Sequence, residues 1–136
     1  MDSGRTHPRV SLPAHLDRVI LKLTALRGGA GVTPALDAAL ERAVRELDLA
    51  RAGVRSLRGE ARARLVERLD ALDVDLVAAA RDACGSDRLA RFRAEADSDL
   101  CAFRARMPEA AYGGALDAAI DRLVREAFGL PTLAIE

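Results

Sequence analysis

Residues 12–49 read LPAHLDRVILKLTALRGGAGVTPALDAALERAVRELDL, and this stretch decides the fold class. Aliphatic residues recur in it every three or four positions, which is the spacing of an amphipathic α-helix. The glycine-rich segment 28–31 divides the stretch. Thr33 and Pro34 then form a strong helix start, because threonine caps a helix and proline fits its first turn. We therefore predict one helix at 14–27 and a second from residue 34 to about residue 47.

The same periodicity continues through the rest of the chain. Gly53 and Gly59 mark residues 50–59 as a hinge. Three more helices are predicted beyond it, at about 65–84, 89–107 and 112–127. The short turn at Gly85 predicts that the third and fourth helices form a long antiparallel hairpin. The fold class is therefore mainly α, with about five helices.

The composition agrees with a helical protein. Half of the 136 residues are apolar, yet there are only three Phe, one Tyr and no Trp. Few aromatic and β-branched residues argue against a large sheet. The N-terminus lacks the apolar core of a signal peptide, and no aliphatic run is long enough to span a bilayer. Two cysteines fit a reducing compartment, so we expect a cytoplasmic protein without a membrane partner.

The two halves of the chain carry opposite charge, although the formal net charge is zero. Residues 1–68 contain 13 Lys/Arg and 8 Asp/Glu, which gives +5, and residues 69–136 contain 8 and 13, which gives −5. The asymmetry indicates that the N-terminal half contacts an anion, and a chance division of solvated helix faces is the alternative.

No motif of a known catalytic or metal site is present. Cys84 and Cys101 lie too far apart along the predicted hairpin for a disulfide, and both are expected to pack between helices. Pairs of acids at helical spacing, such as Asp70 with Asp73, have no accompanying histidine motif and are interpreted as solvated faces. We therefore expect no catalytic residues, no metal and no cofactor, and we predict that the protein is not an enzyme.

Residues 6–49 carry the most specific indication of function. Val10 and Leu12 alternate with Arg9 and Ser11, which predicts one short strand at 9–12, and Pro13 leads out of it into the first helix. With the two helices that follow, this order resembles the ribbon-helix-helix family of bacterial DNA-binding proteins. The alternative is an unstructured N-terminal arm before an ordinary helical hairpin.

The resemblance implies a homodimer whose paired strands enter the major groove of duplex DNA. His7, Arg9 and Ser11 would then face outward and contact bases. Thr33 would lie at a phosphate, at the start of the second helix. Further phosphate contacts are implied for four basic residues that follow or precede the strand: Arg5, Arg18, Lys22 and Arg27.

These observations lead to three hypotheses. The first is a small DNA-binding transcriptional regulator or antitoxin-like protein, with residues 1–50 as the dimeric reader and residues 51–136 as a helical domain that binds a protein partner. The second is a non-enzymatic helical oligomer or adaptor that acts only through protein–protein contacts. The third is a helical sensor whose ligand pocket would include Phe92, Phe103 and Tyr112.

Overall fold

A computed structural model describes residues 11–135 as a bundle of five α-helices. Within that range there is no strand, so the mainly helical fold is confirmed. Two short 3₁₀ segments, Val54–Ser56 and Cys101–Arg106, connect longer helices. The helices are α1 (Leu12–Leu26), α2 (Pro34–Gly53), α3 (Gly59–Cys84), α4 (Ser86–Leu100) and α5 (Glu109–Phe128).

Helix α1 begins inside the predicted strand. Ser11 is extended, with φ −67° and ψ 153°, but its hydroxyl accepts a hydrogen bond from the Ala14 amide at 3.2 Å and caps the helix. Leu12 is the first helical residue and is 2% exposed. The strand prediction is therefore wrong at Leu12, because a serine cap and Pro13 in the first turn already specify a helix there. Arg9 and Val10 lie outside the described residues.

The α1–α2 turn is closed by one carboxylate. Asp37, in the first turn of α2, accepts hydrogen bonds from the Gly28 amide at 3.0 Å and from the Arg27 guanidinium at 3.0 Å. Thr33 caps α2 as predicted, because its hydroxyl accepts from the Leu36 amide at 3.2 Å. The helices break within the predicted hinge at 50–59, but the break is shorter, since α2 continues to Gly53, a 3₁₀ turn follows, and α3 begins at residue 59.

Helix α5 pairs antiparallel with two other helices. Arg125 bonds Asp73, and Arg81 bonds Asp121 at 2.9 Å, so α3 and α5 run in opposite directions. Adjacent helices pack antiparallel, as the sequence predicts, and α4 packs mainly against α5. Predicted helix four ends early, since residues 101–106 tighten into a 3₁₀ segment before Pro108.

One continuous core joins all five helices and the C-terminal tail, which we define as residues 130–135. Leu130 and Leu133 of the tail are buried, so this apolar segment packs against the bundle. The Leu133 amide donates to Oδ1 of Asp73 at 3.0 Å, and the Leu133 carbonyl lies 2.7 Å from Nε2 of His15. Asp73 is therefore buried and paired, and its interpretation as part of a solvated face is wrong.

Candidate nucleic-acid interface

Three segments meet at one end of the bundle: the start of α1, the end of α2 and the start of α3. The 3₁₀ turn between α2 and α3 contacts α1, and its Val54 is buried in the core. Nη1 of Arg51, near the end of α2, lies 3.2 Å from Oδ1 of Asp17 in α1. The connection from α2 to α3 is therefore held beside the first turns of α1.

This end of the bundle is rich in exposed arginine. Residues 51–64 contain five arginines and one acid, Glu60, which lies 3.7 Å from Arg64. We define the basic end as Arg55, Arg58 and Arg62, all of which are exposed. Nη1 of Arg58 donates to the carbonyls of Arg55 and Leu57 at 3.0 and 2.8 Å, so that guanidinium is held against the turn.

The basic end carries uncompensated positive charge within the described range. None of these three arginines forms an ion pair with another residue of 11–135. Exposed guanidinium groups without a carboxylate partner attract anions, and planar guanidinium is well matched to phosphate oxygens.

The described part of the chain begins at this end of the bundle. Arg5, His7 and Arg9 lie outside the described residues, two to six positions before Ser11, and Ser11 caps the helix whose start lies beside the basic end. The chain therefore enters the bundle at the same end at which the three exposed arginines are gathered.

The other four predicted DNA contacts lie along α1 or at the α1–α2 turn: Arg18, Lys22, Arg27 and Thr33. Thr33 sits beyond the far end of α1 from Ser11, and a helix of 15 residues is about 22 Å long at about 1.5 Å per residue. The first turn of α2 also already contains a carboxylate, that of Asp37. A hydrogen bond from Arg27 lowers the pKa of Asp37 and so favours its charged form. The structure thus does not bring Thr33 together with Ser11.

Lys22 lies on the exposed side of α1 and lines a cleft between that helix and the tail. Arg18, one turn earlier, lines the same cleft together with His15. The cleft has a volume of about 260 Å³. Two of the predicted phosphate contacts, Arg18 and Lys22, are therefore neighbours on one helix face.

Sequence reasoning missed both the basic end and the role of His15. The five arginines of residues 51–64 were visible as a charge cluster, but their spacing among alanine and glycine was interpreted only as a hinge. The burial of His15 had no local signal, because its partner Leu133 is 118 residues away in the chain.

Residues 11–135 contain no cluster of three or more His, Cys, Asp or Glu arranged to hold a metal ion. Cys84 and Cys101 are both free, as the sequence predicts, although Cys101 is exposed and does not pack between helices. Burial raises the pKa of the Cys84 thiol, which disfavours the reactive thiolate.

A second groove, of about 540 Å³, lies between α4 and α5. Tyr112 lines it, as the sensor hypothesis expects, but Phe92 and Phe103 do not. Phe92 packs against the core beneath Arg88, and Phe103 is 50% exposed. The three aromatic residues are therefore not gathered around one pocket.

None of the helices in the described part of the chain is long and apolar enough to cross a membrane. Comparison with protein-family models, with curated proteins and with solved structures finds no match to this chain.

Proposed function

We propose that the protein is a cytoplasmic DNA-binding regulator that contacts duplex DNA with the basic end and the N-terminal segment that joins it. The observation that carries the proposal is the convergence of Arg55, Arg58 and Arg62 with the start of α1. The N-terminal segment, which leads into Ser11 and the start of α1, contains Arg5, His7 and Arg9.

Electrostatics supports a nucleic acid as the partner. Duplex DNA presents a dense array of phosphates, and each arginine that contacts one releases condensed counterions, which favours binding. Such contacts position a protein on the duplex without reading its sequence. Base reading is left to Arg9, which is suited to guanine edges, because the Ser11 hydroxyl caps α1.

The ribbon-helix-helix arrangement remains a proposal for residues 6–49. In that arrangement two copies pair through their strands. Here the apolar faces of α1 and α2 are already buried within the core of the same chain, with Leu16, Leu36 and Leu47 at most 1% exposed. A second copy is therefore not needed to complete this core, and pairing would involve the N-terminal segments.

Fluorescence anisotropy with a labelled DNA duplex tests the proposal. We expect an affinity that falls steeply between about 50 and 200 mM salt, and the double variant Arg55→Ala/Arg62→Ala should bind about tenfold more weakly, with a salt slope smaller by about 2. Arg91→Ala/Arg122→Ala removes two exposed arginines from α4 and α5 and serves as the matched control. Binding indifferent to salt, or an equal loss in the control, would contradict the proposal.

Arg9→Ala tests the N-terminal segment separately. If Arg9 contacts a guanine edge, this variant discriminates less between duplexes of different sequence, by about 1–3 kcal/mol at one base pair. A uniform loss across all duplexes would instead assign Arg9 to a phosphate.

A second candidate function, a helical subunit that acts through protein contacts, is favoured by exposed apolar side chains. Leu21, Leu49 and Val74 are each at least 67% exposed, on three different helices. Analytical ultracentrifugation distinguishes this function: a defined homo-oligomer or a stable complex with a protein partner, together with no affinity for DNA, would favour it.

A further inference from the structure

The cleft between α1 and the tail has the composition of an anion site. Its lining includes His15, Arg18 and Lys22 from α1, and Thr132 from the tail. No acidic residue is among the described residues that line it, and its volume is about 260 Å³. Cavities that hold drug-sized ligands measure about 300–1,000 Å³, so this cleft suits a small group.

His15 fixes one side of the cleft. A carbonyl oxygen only accepts hydrogen bonds, so Nε2 of His15 donates to the Leu133 carbonyl at 2.7 Å. Arginine only donates, so Nδ1 of the same ring accepts from Nη2 of Arg18 at 3.4 Å. The buried imidazole, 4% exposed, therefore positions the Arg18 guanidinium at the mouth of the cleft.

Two cations stand on this helix face without a carboxylate between them. Arg18 and Lys22 are four residues apart, which places like charges as neighbours and destabilises an isolated helix by about 0.2–0.5 kcal/mol. Neither forms an ion pair with another residue of 11–135. A bound anion would remove this repulsion, and Thr132 lines the tail side of the same cleft.

We propose that this cleft binds a phosphate group between Arg18 and Lys22, with His15 as a positioning residue. The tetrahedral dianion satisfies several donors at once and fits the small volume. Two sources share this chemistry: a free phosphate or small phosphorylated molecule, and a backbone phosphate of a bound nucleic acid. The inference does not require the DNA-binding proposal, because the first source is independent of the basic end.

Isothermal titration calorimetry with inorganic phosphate tests the site, with chloride at matched ionic strength as the reference. Wild type should bind phosphate saturably, and both Arg18→Ala and Lys22→Ala should weaken binding by at least about tenfold. Both side chains are exposed, so the variants are expected to fold, and equal melting temperatures without phosphate check this. Arg91→Ala/Arg122→Ala should bind phosphate as wild type does.

The absence of saturable phosphate binding by wild type overturns the inference, and so does an equal loss in the Arg91→Ala/Arg122→Ala control.

The anisotropy assay then separates the two sources. If Arg18→Ala and Lys22→Ala also weaken duplex binding and each lowers the salt slope by about 1, the ligand is a backbone phosphate. If the two variants no longer bind inorganic phosphate but bind the duplex normally, the ligand is a small phosphorylated molecule. Arg55→Ala/Arg62→Ala should retain phosphate binding, so failure of one proposal does not imply failure of the other.

Discussion

The hydroxyl of Tyr112, in the first turn of α5, donates a hydrogen bond of 2.5 Å to Oδ1 of Asp97 in α4. The guanidinium of Arg104 lies 5.2 Å from the centre of the same ring. The hydrogen bond to Asp97, and secondly burial, raise the pKa of Tyr112, because a phenolate beside a carboxylate would be a pair of like charges. This contact joins α4 to α5 near the tip of their hairpin.

We expect Tyr112 to ionise above the usual range of about pH 10. Since its folded pKa is raised, its contribution to stability is fully present below about pH 10 and is lost as the pH rises through the folded pKa. The chain has one Tyr and no Trp, so phenolate absorbance reports this group alone. Asp97→Asn should lower the absorbance midpoint towards that of denatured protein, and an unchanged midpoint would contradict the assignment.

Asp73 is the residue whose loss should cost the most stability among the acids. It binds the Arg125 guanidinium through both oxygens and accepts from the Leu133 amide, and it is 9% exposed. We expect Asp73→Asn to lower the free energy of unfolding by about 2–4 kcal/mol, because Arg125 would lose its partner charge in a largely buried position.

Urea unfolding measures this effect, and Asp70→Asn is the matched control. Asp70 lies on the same helix, three residues earlier, but is exposed, so its substitution should change the free energy of unfolding by no more than about 0.5 kcal/mol. Similar values for the two variants would show that Asp73 adds little to the attachment of the tail.

Among the helices, the α3–α4 junction depends on a single glycine. Gly85 has φ 81° and ψ 162°, a backbone region that is almost restricted to glycine. An added Cβ would meet no atom within 4 Å, so backbone strain is the only penalty. We expect Gly85→Ala to destabilise the protein by about 1–3 kcal/mol.

Gly113 provides a control of opposite sign. It lies inside α5, and an added Cβ would again meet nothing within 4 Å. Alanine there should stabilise the fold by about 0.5–1 kcal/mol, because glycine is a poor helix former. Thermal unfolding of both variants measures the two effects, and a destabilised Gly113→Ala would contradict the propensity argument.

The elements that the sequence predicted correctly are those specified by residues close together in the chain. The cap at Thr33, the break between the second and third helices and the helical periodicity are all properties of neighbouring residues, and the structure agrees with them. What the sequence did not show depends on distant partners. Asp73 resembled a solvated acid because its partner, Arg125, is 52 residues away in the chain.

The candidate site was predictable only in part, since its two halves come from separate segments. The sequence identified the basic N-terminal residues but not the arginines of the α2–α3 connection, because only the fold places that connection beside α1. The predicted start of α1, at residue 14, is two residues too late. The strand-like alternation of residues 9–12 is a weaker signal than the helix start that Ser11 and Pro13 provide.

At the scale of the whole molecule, the core does not stop at the predicted boundary near residue 50. Buried residues of α1 and α2 belong to the same cluster as those of α3, α5 and the tail. The division into a reader at 1–50 and a helical domain at 51–136 therefore remains a prediction about function. Because one core spans the boundary near residue 50, we expect both parts to unfold together in a single cooperative transition.

The attachment of Leu133 also bears on the order of events in time. Its two backbone bonds join residues 118 and 60 positions away, whereas most other contacts in the bundle are within a helix or between neighbouring helices. Closing such long loops is entropically costly, so we expect the helices to assemble first and the tail to attach late.

Leu133→Ala should therefore speed unfolding and leave the folding rate almost unchanged, although it removes about 2–5 kcal/mol of stability from a fully buried position. Stopped-flow measurement of both rates checks this, and a slowed folding rate would contradict it.

In the native state, the attachment of the tail, which forms late, is the first contact to reverse. Amide hydrogens of the tail should therefore exchange ahead of those in α3, and the tail side of the cleft beside α1 would open and close while the rest of the bundle stays folded.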